Sequence, residues 1–217
     1  MSIEFSCDNP DQTSEARVHD MNRVVIYEAT GADPRADRFD RLGPSGTITV
    51  VLVPDTAQVV DIASELVRSG ARLVELCGGM PLSLRAAVLD AVGDRAKVSS
   101  VTFGIESIVP AAAYNGAFLA GKPPHEALII LDGSAGPHGD RVVRAFPPQN
   151  TTLAFVPDEP AAAKTAKELA NAGVGLIELY GGFSTEGAAG VIAAVEGKAP
   201  VGVGSFAYDR AAEPRGA

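Results

Sequence analysis

Two patterns of apolar and polar positions alternate along this chain. Short runs rich in β-branched residues, such as Arg23–Tyr27 and the segment TITVVLV, are bounded by turn residues and predict buried strands. Other segments repeat apolar residues every three or four positions and predict amphipathic helices. The first of these helices places four apolar residues on one face: Val59, Ala63, Leu66 and Val67. Strands that alternate with helices predict the α/β class, with parallel strands joined by helical crossovers.

The whole pattern occurs twice. Thr49–Phe103 aligns with Thr152–Phe206 at a constant offset of 103 residues, with 20 identities in 55 positions. Both copies contain VPD, and LVELCGG in the first copy becomes LIELYGG in the second. Each copy predicts the order β-β-α-β-α-β. We therefore expect two tandem repeats that form a pseudo-two-fold, mainly parallel sheet of about eight strands layered with helices. A closed α/β barrel is the alternative.

Composition shifts predict where the repeats begin and end. The N-terminal segment is polar and acidic and lacks the apolar core of a secretory signal. A short helix is expected at Ala111–Ala120, in the segment that joins the copies. The expected division is a flexible leader at 1–21, a first module at 22–106, a linker at 107–124, a second module at 125–210 and a flexible tail at 211–217.

Charge and cysteine usage narrow the class of protein. With 18 basic and 27 acidic residues, the net charge of −9 disfavours nucleic acid and membrane surfaces as partners. Cys7 and Cys77 fit no disulfide framework, and three scattered histidines give no metal-ligand spacing. We therefore expect a cytoplasmic protein without a metal or cofactor. Because each copy can supply the other's partner, a monomeric pseudo-dimer or a homodimer is expected.

Several segments of both copies are similar to those of a bacterial domain-of-unknown-function family, number 6506. The similar segments are VPD, the EL pair of the first helix, G-x-x-L-[IV]-E-L-[CY]-G-G and P-V-G. The resemblance implies single modules of about this repeat length, so this chain resembles a fused pair. The family's E-L-C-G-G-F-x-x-E-G segment is matched better by the second copy, although Tyr180 replaces the cysteine. The first copy keeps Cys77 but continues with MPLS, which puts a site there in doubt.

Candidate acid/base residues lie in the repeated strand. Glu75 and Glu178 occupy one face of a strand expected to be covered on both sides, where a lone carboxylate is costly. One hypothesis is a general acid or base with a raised pKa, with Tyr180 as a proton donor. A second hypothesis is a structural ion pair with Arg38 or Arg141, which also occur in both copies. A third is that a glutamate at the end of the strand is exposed beyond the helix layer.

Candidate binding residues follow the same strand. The Gly181–Gly182 turn precedes a helix whose start favours anions, and hydroxyl or carboxylate groups there could contact a substrate. The expected turn and helix-start residues are Gly181, Gly182, Ser184, Thr185 and Glu186. Arg38, Asp140 and Arg141 lie in Pro- and Gly-rich segments predicted to be loops. They are predicted either to hold a substrate carboxylate or to fix the loop to the strand glutamate. Cys77 is interpreted as a core residue rather than a nucleophile.

Two functions remain open from the sequence. The first is a cofactor-independent lyase, isomerase or cyclase that acts on a small polar or carboxylated metabolite. In this hypothesis Glu178 is the acid/base, Arg141 anchors a carboxylate and the Gly181–Gly182 turn holds an anion. The second is a non-catalytic module that binds a small molecule or a protein, favoured by the lack of a nucleophile triad, metal or phosphate-loop motif.

Overall fold

A computed structural model describes residues 22–43 and 46–207 of the chain. The predicted leader at 1–21 with Cys7, and the predicted tail at 211–217, lie outside the described residues. The strands of the first sheet and the helices between them are β1 (Arg23–Glu28), β2 (Arg38–Gly43), β3 (Gly46–Val53), α1 (Val59–Arg68), β4 (Leu73–Leu76), α2 (Leu82–Val92) and β5 (Lys97–Ser100). The remaining elements are β6 (Thr102–Phe103), α3 (Ile105–Leu119), β7 (Glu126–Leu131), β8 (Asp140–Phe146), β9 (Gln149–Val156), α4 (Glu159–Asn171), β10 (Leu176–Tyr180), α5 (Thr185–Val195) and β11 (Val201–Val203).

The strands form two sheets, one for each copy of the repeat. The first sheet has the order β2-β3-β1-β4-β5, and the second has the order β6-β11-β10-β7-β9-β8. Pairing is parallel except at the edges, where β2, β8 and β6 run antiparallel to their neighbours. The predicted α/β class with mainly parallel strands is confirmed. The alternative of a closed barrel is wrong, because within the described residues each sheet is open.

The sequence underestimated the number of strands. The segments that contain Arg38, Asp140 and Arg141 were expected to be loops, but they begin the antiparallel edge strands β2 and β8. Exposure alternates along β2, as it does in a strand with one face open to solvent. The other additional strand, β6, follows β5 of the first copy but pairs with β11 of the second sheet. The chain therefore crosses between the sheets before helix α3.

The two sheets pack face to face between two layers of helices. Helix α1 buries the four predicted residues, and α4 buries Ala162, Ala166, Leu169 and Ala170 at equivalent positions. These α4 residues pack with one face of the second sheet, represented by Ile129, Ala154 and Ile177. Residues of its other face, Leu128, Leu153 and Phe155, instead join the core of the first copy. Because side chains alternate across a strand, the inner faces of both sheets meet at the centre of the molecule.

Helix α3 joins the two copies and is longer than predicted. It spans Ile105–Leu119 rather than Ala111–Ala120. The Ser107 hydroxyl accepts a hydrogen bond from the Val201 backbone N–H at 3.0 Å, which fixes the start of the helix to the second sheet. Within the described residues, none of the helices has the length and apolar content needed to span a membrane.

Candidate functional site

Glu75 and Glu178 hold the two copies together through reciprocal hydrogen bonds. The Gly78 N–H of the first copy donates to Glu178 Oε1, and the Gly181 N–H of the second copy donates to Glu75 Oε1, both at 3.0 Å. Glu75 is fully buried and Glu178 is 4% exposed. The four residues are related by the repeat offset, so each glutamate binds the glycine turn of the other copy. We call this arrangement the glutamate latch.

A different hydroxyl group completes the latch on each side. The Ser205 hydroxyl donates to Glu75 Oε1 at 2.5 Å, and the Tyr180 hydroxyl donates to Glu178 Oε2. The pKa of Glu178 is raised to about 7, chiefly by burial and also by the charge of Glu126. The hydrogen bonds from Tyr180 and Gly78 oppose this increase in the pKa. The Tyr180 pKa lies well above its usual value, chiefly because the ring is buried and the Glu178 charge is close.

A further buried carboxylate, Glu126, was missed from the sequence. The hydroxyls of Tyr27 and Tyr114 donate to its oxygens, the latter at 2.5 Å, and Gln149 and Thr151 donate at 2.8 and 2.9 Å. Glu126 occupies the position that Arg23 has in the first copy. Arg23 instead donates to the backbone carbonyls of Leu131 and Gly181, at 3.0 Å for Gly181. The opposite charges at these equivalent positions are visible in the aligned repeats and could have identified Glu126 from the sequence.

Cys77 lies inside this interface and is suited to packing rather than to nucleophilic chemistry. Its thiol is buried, and burial together with the Glu178 charge raises its pKa far above the ordinary value. A nucleophilic cysteine needs the opposite change, since the thiolate is the reactive form. The environment supports the interpretation of Cys77 as a core residue.

The predicted turn residues are largely occupied by contacts within the protein. Gly181 and Gly182 both have positive φ values, of 100° and 74°, which favours glycine. Ser184 is the N-cap of α5: its hydroxyl accepts from the Gly187 N–H at 2.9 Å and donates to Glu159 at 2.7 Å. Its own N–H also donates to Glu159. Thr185 and Glu186 are exposed at the start of α5.

The predicted arginine contacts differ from those in the structure. Arg141 donates to Glu168 at 2.5 Å, and Arg38 forms a bidentate contact with Asp40 at 3.0 to 3.3 Å. Asp140 accepts from Arg41 at 2.6 Å. The hypothesis that Arg38 or Arg141 pairs with a latch glutamate is therefore wrong, because both arginines lie on antiparallel edge strands and bind other carboxylates. The structure brings Glu178, Tyr180 and Gly181 together, and Arg141 and Asp140 lie outside this group.

A groove at the edge of the first sheet contains Arg38. The segment after β1 contributes Asp33, Pro34 and Arg35, and helix α1 contributes Glu65 on the opposite wall. The groove has a volume of about 470 Å³, within the range of pockets that hold small molecules. It lies beside the carboxyl ends of β1 and β3, where open α/β sheets commonly bind ligands. We call it the Arg38 groove.

The equivalent region of the second copy is bridged by an ion pair. Arg141 corresponds to Arg38, and its partner Glu168 corresponds to Glu65 of the groove wall. Arg141 Nη2 also lies 3.5 Å from the Thr165 hydroxyl, on the same helix as Glu168. The arginine therefore reaches across from its strand to the helix. Among the described residues, no group of three His, Cys, Asp or Glu residues is placed to hold a metal ion.

The fold is a tandem pair of α/β modules, and the inner faces of their two sheets pack against each other. The family described as "Family of unknown function (DUF6506)" matches this chain twice, over residues 21–116 and 124–213. The chain belongs to this family, which confirms the resemblance inferred from the sequence. The first matched segment continues into α3, past the predicted module end at 106; the boundaries at 22–106 and 125–210 stay predictions.

Two solved structures are distantly similar, and no curated protein matches the sequence. One is a carbohydrate transporter from Acidothermus cellulolyticus 11B in complex with myo-inositol; it is 16% identical, with 85% of this chain and 73% of that chain covered and a TM-score of 0.31. The other is an ABC transporter periplasmic solute binding protein from Actinobacillus succinogenes 130z with bound D-allose. It is 11% identical, with 83% and 77% covered and a TM-score of 0.25. Such low TM-scores support no conclusion about the ligand of this chain.

Proposed function

We propose that this protein binds a small polar metabolite with an anionic group in the Arg38 groove. The observation that carries the proposal is the difference between the copies: the same arginine and glutamate positions are separated by a groove in the first copy and joined in the second. A guanidinium group suits a carboxylate or phosphate because it offers paired N–H donors. The proposal keeps Arg38 as a ligand-binding residue and transfers the site from the second copy to the first.

The chemistry of the latch favours binding over catalysis. Glu75 and Glu178 are buried, and each already accepts a backbone N–H and a hydroxyl. A general base must come within hydrogen-bond distance of the substrate proton that it removes. The latch glutamates can come within this distance of a substrate only if the two copies separate locally. In the proposed function, the latch is therefore a structural element of a binding protein.

A second candidate function is acid/base catalysis by Glu178, as a lyase, isomerase or cyclase. The specific observation in its favour is the pKa of about 7, which suits proton transfer near neutral pH. Tyr180, hydrogen-bonded to the same carboxylate, would be the second proton carrier. Both candidates place the protein in the cytoplasm, where a reducing environment suits the free thiol of Cys77.

A thermal-shift screen tests the proposal. The library contains small carboxylates, phosphates and keto acids, and binding raises the Tm by mass action. We compare the wild type with three variants: Arg38→Ala, Arg141→Ala as the matched variant of the second copy, and Glu178→Gln. The proposal expects a ligand-dependent rise in Tm that is lost with Arg38→Ala and kept with Arg141→Ala.

Three results would count against the binding proposal. A rise that survives Arg38→Ala would place the ligand elsewhere, and a library without any active compound would remove the support for a small anionic ligand. A rise lost only with Glu178→Gln, together with turnover of that ligand by the wild type, would favour the acid/base candidate instead.

A further inference from the structure

The walls of the Arg38 groove carry charges of both signs. The segment after β1 and strand β2 provide the guanidinium groups of Arg35 and Arg38, and helix α1 provides the carboxylate of Glu65. Asp33 also lines the groove, but its carboxylate accepts a hydrogen bond from the Arg35 backbone N–H at 2.9 Å. Two cationic and two anionic side chains give a lining with no net charge. Such a lining is complementary to a dipolar molecule rather than to a simple anion.

In the second copy, the residues at the same two positions form an ion pair across the equivalent region. Arg141 and Glu168 are in direct contact at 2.5 Å. In the first copy, the equivalent Glu65 carboxylate has no hydrogen bond or ion pair among the described residues. Arg38 is bound by Asp40 on its own strand. Asp40 accepts from Arg38 Nε and Nη2, so a ligand that contacts both walls matches them best with an anion toward Arg35 and the remaining Arg38 N–H groups and a cation toward Glu65.

Substitutions between the copies, of Ile62 by Thr165 and of Asp40 by Val143, accompany this difference. Asp40 corresponds to Val143 at the repeat offset, so strand β8 has no carboxylate beside Arg141. In the first copy, Asp40 is itself positioned by the Thr49 hydroxyl, which donates to it at 2.5 Å. Asp40 thus holds Arg38 along strand β2 and keeps it away from Glu65. The groove is maintained by the sequence of β2.

We propose that the ligand of the Arg38 groove is a zwitterion, with a carboxylate that contacts Arg38 and Arg35 and a protonated amine that contacts Glu65. This inference rests on the proposed binding function and specifies its ligand class. The carboxylate forms charge-assisted hydrogen bonds with guanidinium N–H groups, and the ammonium group forms them with the Glu65 carboxylate. The ligand reproduces, across the groove, the contact that Arg141 makes directly with Glu168.

Calorimetric titration of the full chain with matched compounds tests the ligand class. The probes are the straight-chain amino acids from glycine to 6-aminohexanoate, each paired with the carboxylate and the amine of the same length. We expect one chain length of amino acid to bind at least about tenfold more tightly than its matched carboxylate, since a charge-assisted hydrogen bond contributes that much. The matched amine is expected to bind more weakly than the amino acid.

Variants at Glu65 and at its counterpart Glu168 distinguish binding of a zwitterion from binding of a simple anion. Glu65→Gln is expected to reduce the affinity for the amino acid to that for the matched carboxylate, while Glu168→Gln, its counterpart in the second copy, leaves both unchanged. Equal affinities for amino acid and carboxylate, with no effect of Glu65→Gln, would overturn the zwitterion and leave the anion-binding function in place. If neither amino acids nor carboxylates bind, and the wider library of the thermal-shift screen is inactive too, the proposed function itself fails.

Discussion

The Arg38 groove of the first copy and the ion-paired surface of the second are built from equivalent positions of one duplicated sequence. In the first, Arg38 lies along its strand beside Asp40, and Glu65 faces the groove. In the second, Val143 replaces Asp40, and Arg141 crosses to Glu168. This position on an exposed edge strand gives the arginine a carboxylate partner on its own strand in the first copy and none in the second. The comparison teaches that equivalent positions on the exposed edges of two duplicated modules can form different contacts within the same fold.

The glutamate latch, in contrast, has the same contacts between glycine and glutamate in both copies. Its two halves have the same geometry, with Gly78 bound to Glu178 and Gly181 bound to Glu75 at 3.0 Å each. The latch lies at the centre, where each side chain is surrounded by both sheets. A substitution there leaves a buried polar group without a partner, which is costly. The contacts between glycine and glutamate therefore keep pseudo-two-fold symmetry, whereas the hydroxyl partners and the outer edges differ between the copies.

Removing either latch glutamate has the largest expected effect on stability. Glu75→Ala leaves the Gly181 N–H and the Ser205 hydroxyl without their acceptor, and Glu178→Ala does the same to Gly78 and Tyr180. Each variant is expected to lower the free energy of unfolding by about 2 to 6 kcal/mol, the cost of two unsatisfied buried donors. Urea denaturation measures it. Losses below about 1 kcal/mol in both variants would contradict the latch.

The latch also predicts that stability decreases as the pH rises. The Glu178 pKa is raised to about 7 in the folded protein from an ordinary value of 4.5, so the folded state favours the protonated carboxyl. Its contribution is complete below the unfolded pKa and is lost as the pH rises through the folded pKa. The loss between pH 4.5 and about 7 is about 3 kcal/mol. It is measured by urea denaturation across that range.

Glu178→Gln is the control for the pH dependence, because it cannot titrate. Burial also raises the pKa of Glu28, with the charge of Asp55 as a second cause, so a smaller slope of the same sign is expected to remain. An unchanged slope in Glu178→Gln would show that Glu178 does not titrate in this range.

Two adjacent glycines test the close approach of the copies. A Cβ atom at Gly78 would lie 2.5 Å from Glu178 Oε1, whereas one at Gly79 would have no atom within 4 Å. Gly78→Ala is expected to lower the free energy of unfolding by about 1 to 3 kcal/mol through overpacking. Gly79→Ala is the matched control and is expected to have little effect. Equal effects of the two variants on urea denaturation would argue against a tight contact at Gly78.

Exchanging the residues of the edge strands has the smallest expected effect on stability and the sharpest effect on binding. Asp40→Val removes the partner that holds Arg38, so Arg38 is expected to pair with Glu65 and close the groove. Both positions are exposed, so the free energy of unfolding is expected to change by only about 0.5 kcal/mol. Calorimetry with the ligand from the screen measures the predicted loss of affinity.

The reverse exchange in the second copy completes this test. Val143→Asp offers Arg141 a carboxylate on its own strand, and it is expected to leave ligand affinity in the first copy unchanged. Unaltered affinity in Asp40→Val would show that Asp40 does not maintain the groove.

The sequence predicted the parts of this fold that depend on local pattern. The periodic apolar residues of α1 and α4 and the parallel strands follow from neighbouring positions, and so does the burial of Glu75 and Glu178. Tyr180 lies on the same strand as its partner Glu178, but Gly78, Gly181 and Ser205 come from the other copy, about one repeat away, and could not be assigned before the two sheets pack. The expected arginine pairs failed because Arg38 and Arg141 lie on edge strands and bind Asp40 and Glu168.

Some features of the Arg38 groove could have been predicted from the sequence, although the segment that contains Arg38 was interpreted as a loop. The first three residues of RFDRLG alternate polar and apolar, and a strand there would have placed Arg38 and Asp40 on the same face. The replacement of Asp40 by Val143 is also visible from the aligned repeats. The groove itself was not predictable, since it depends on how far α1 lies from the segment after β1.

The measurement that tests the central claim most directly is an NMR titration of ¹⁵N-labelled protein with the tightest ligand from the screens. The account predicts amide shifts confined to the two walls of the Arg38 groove, at residues 33–38 and 58–66, with little change at the equivalent residues 136–141 and 161–169. Shifts centred on the second copy, or on the turns at Gly78 and Gly181, would contradict it. In the latter case the buried glutamates, and not the edge groove, would be the site.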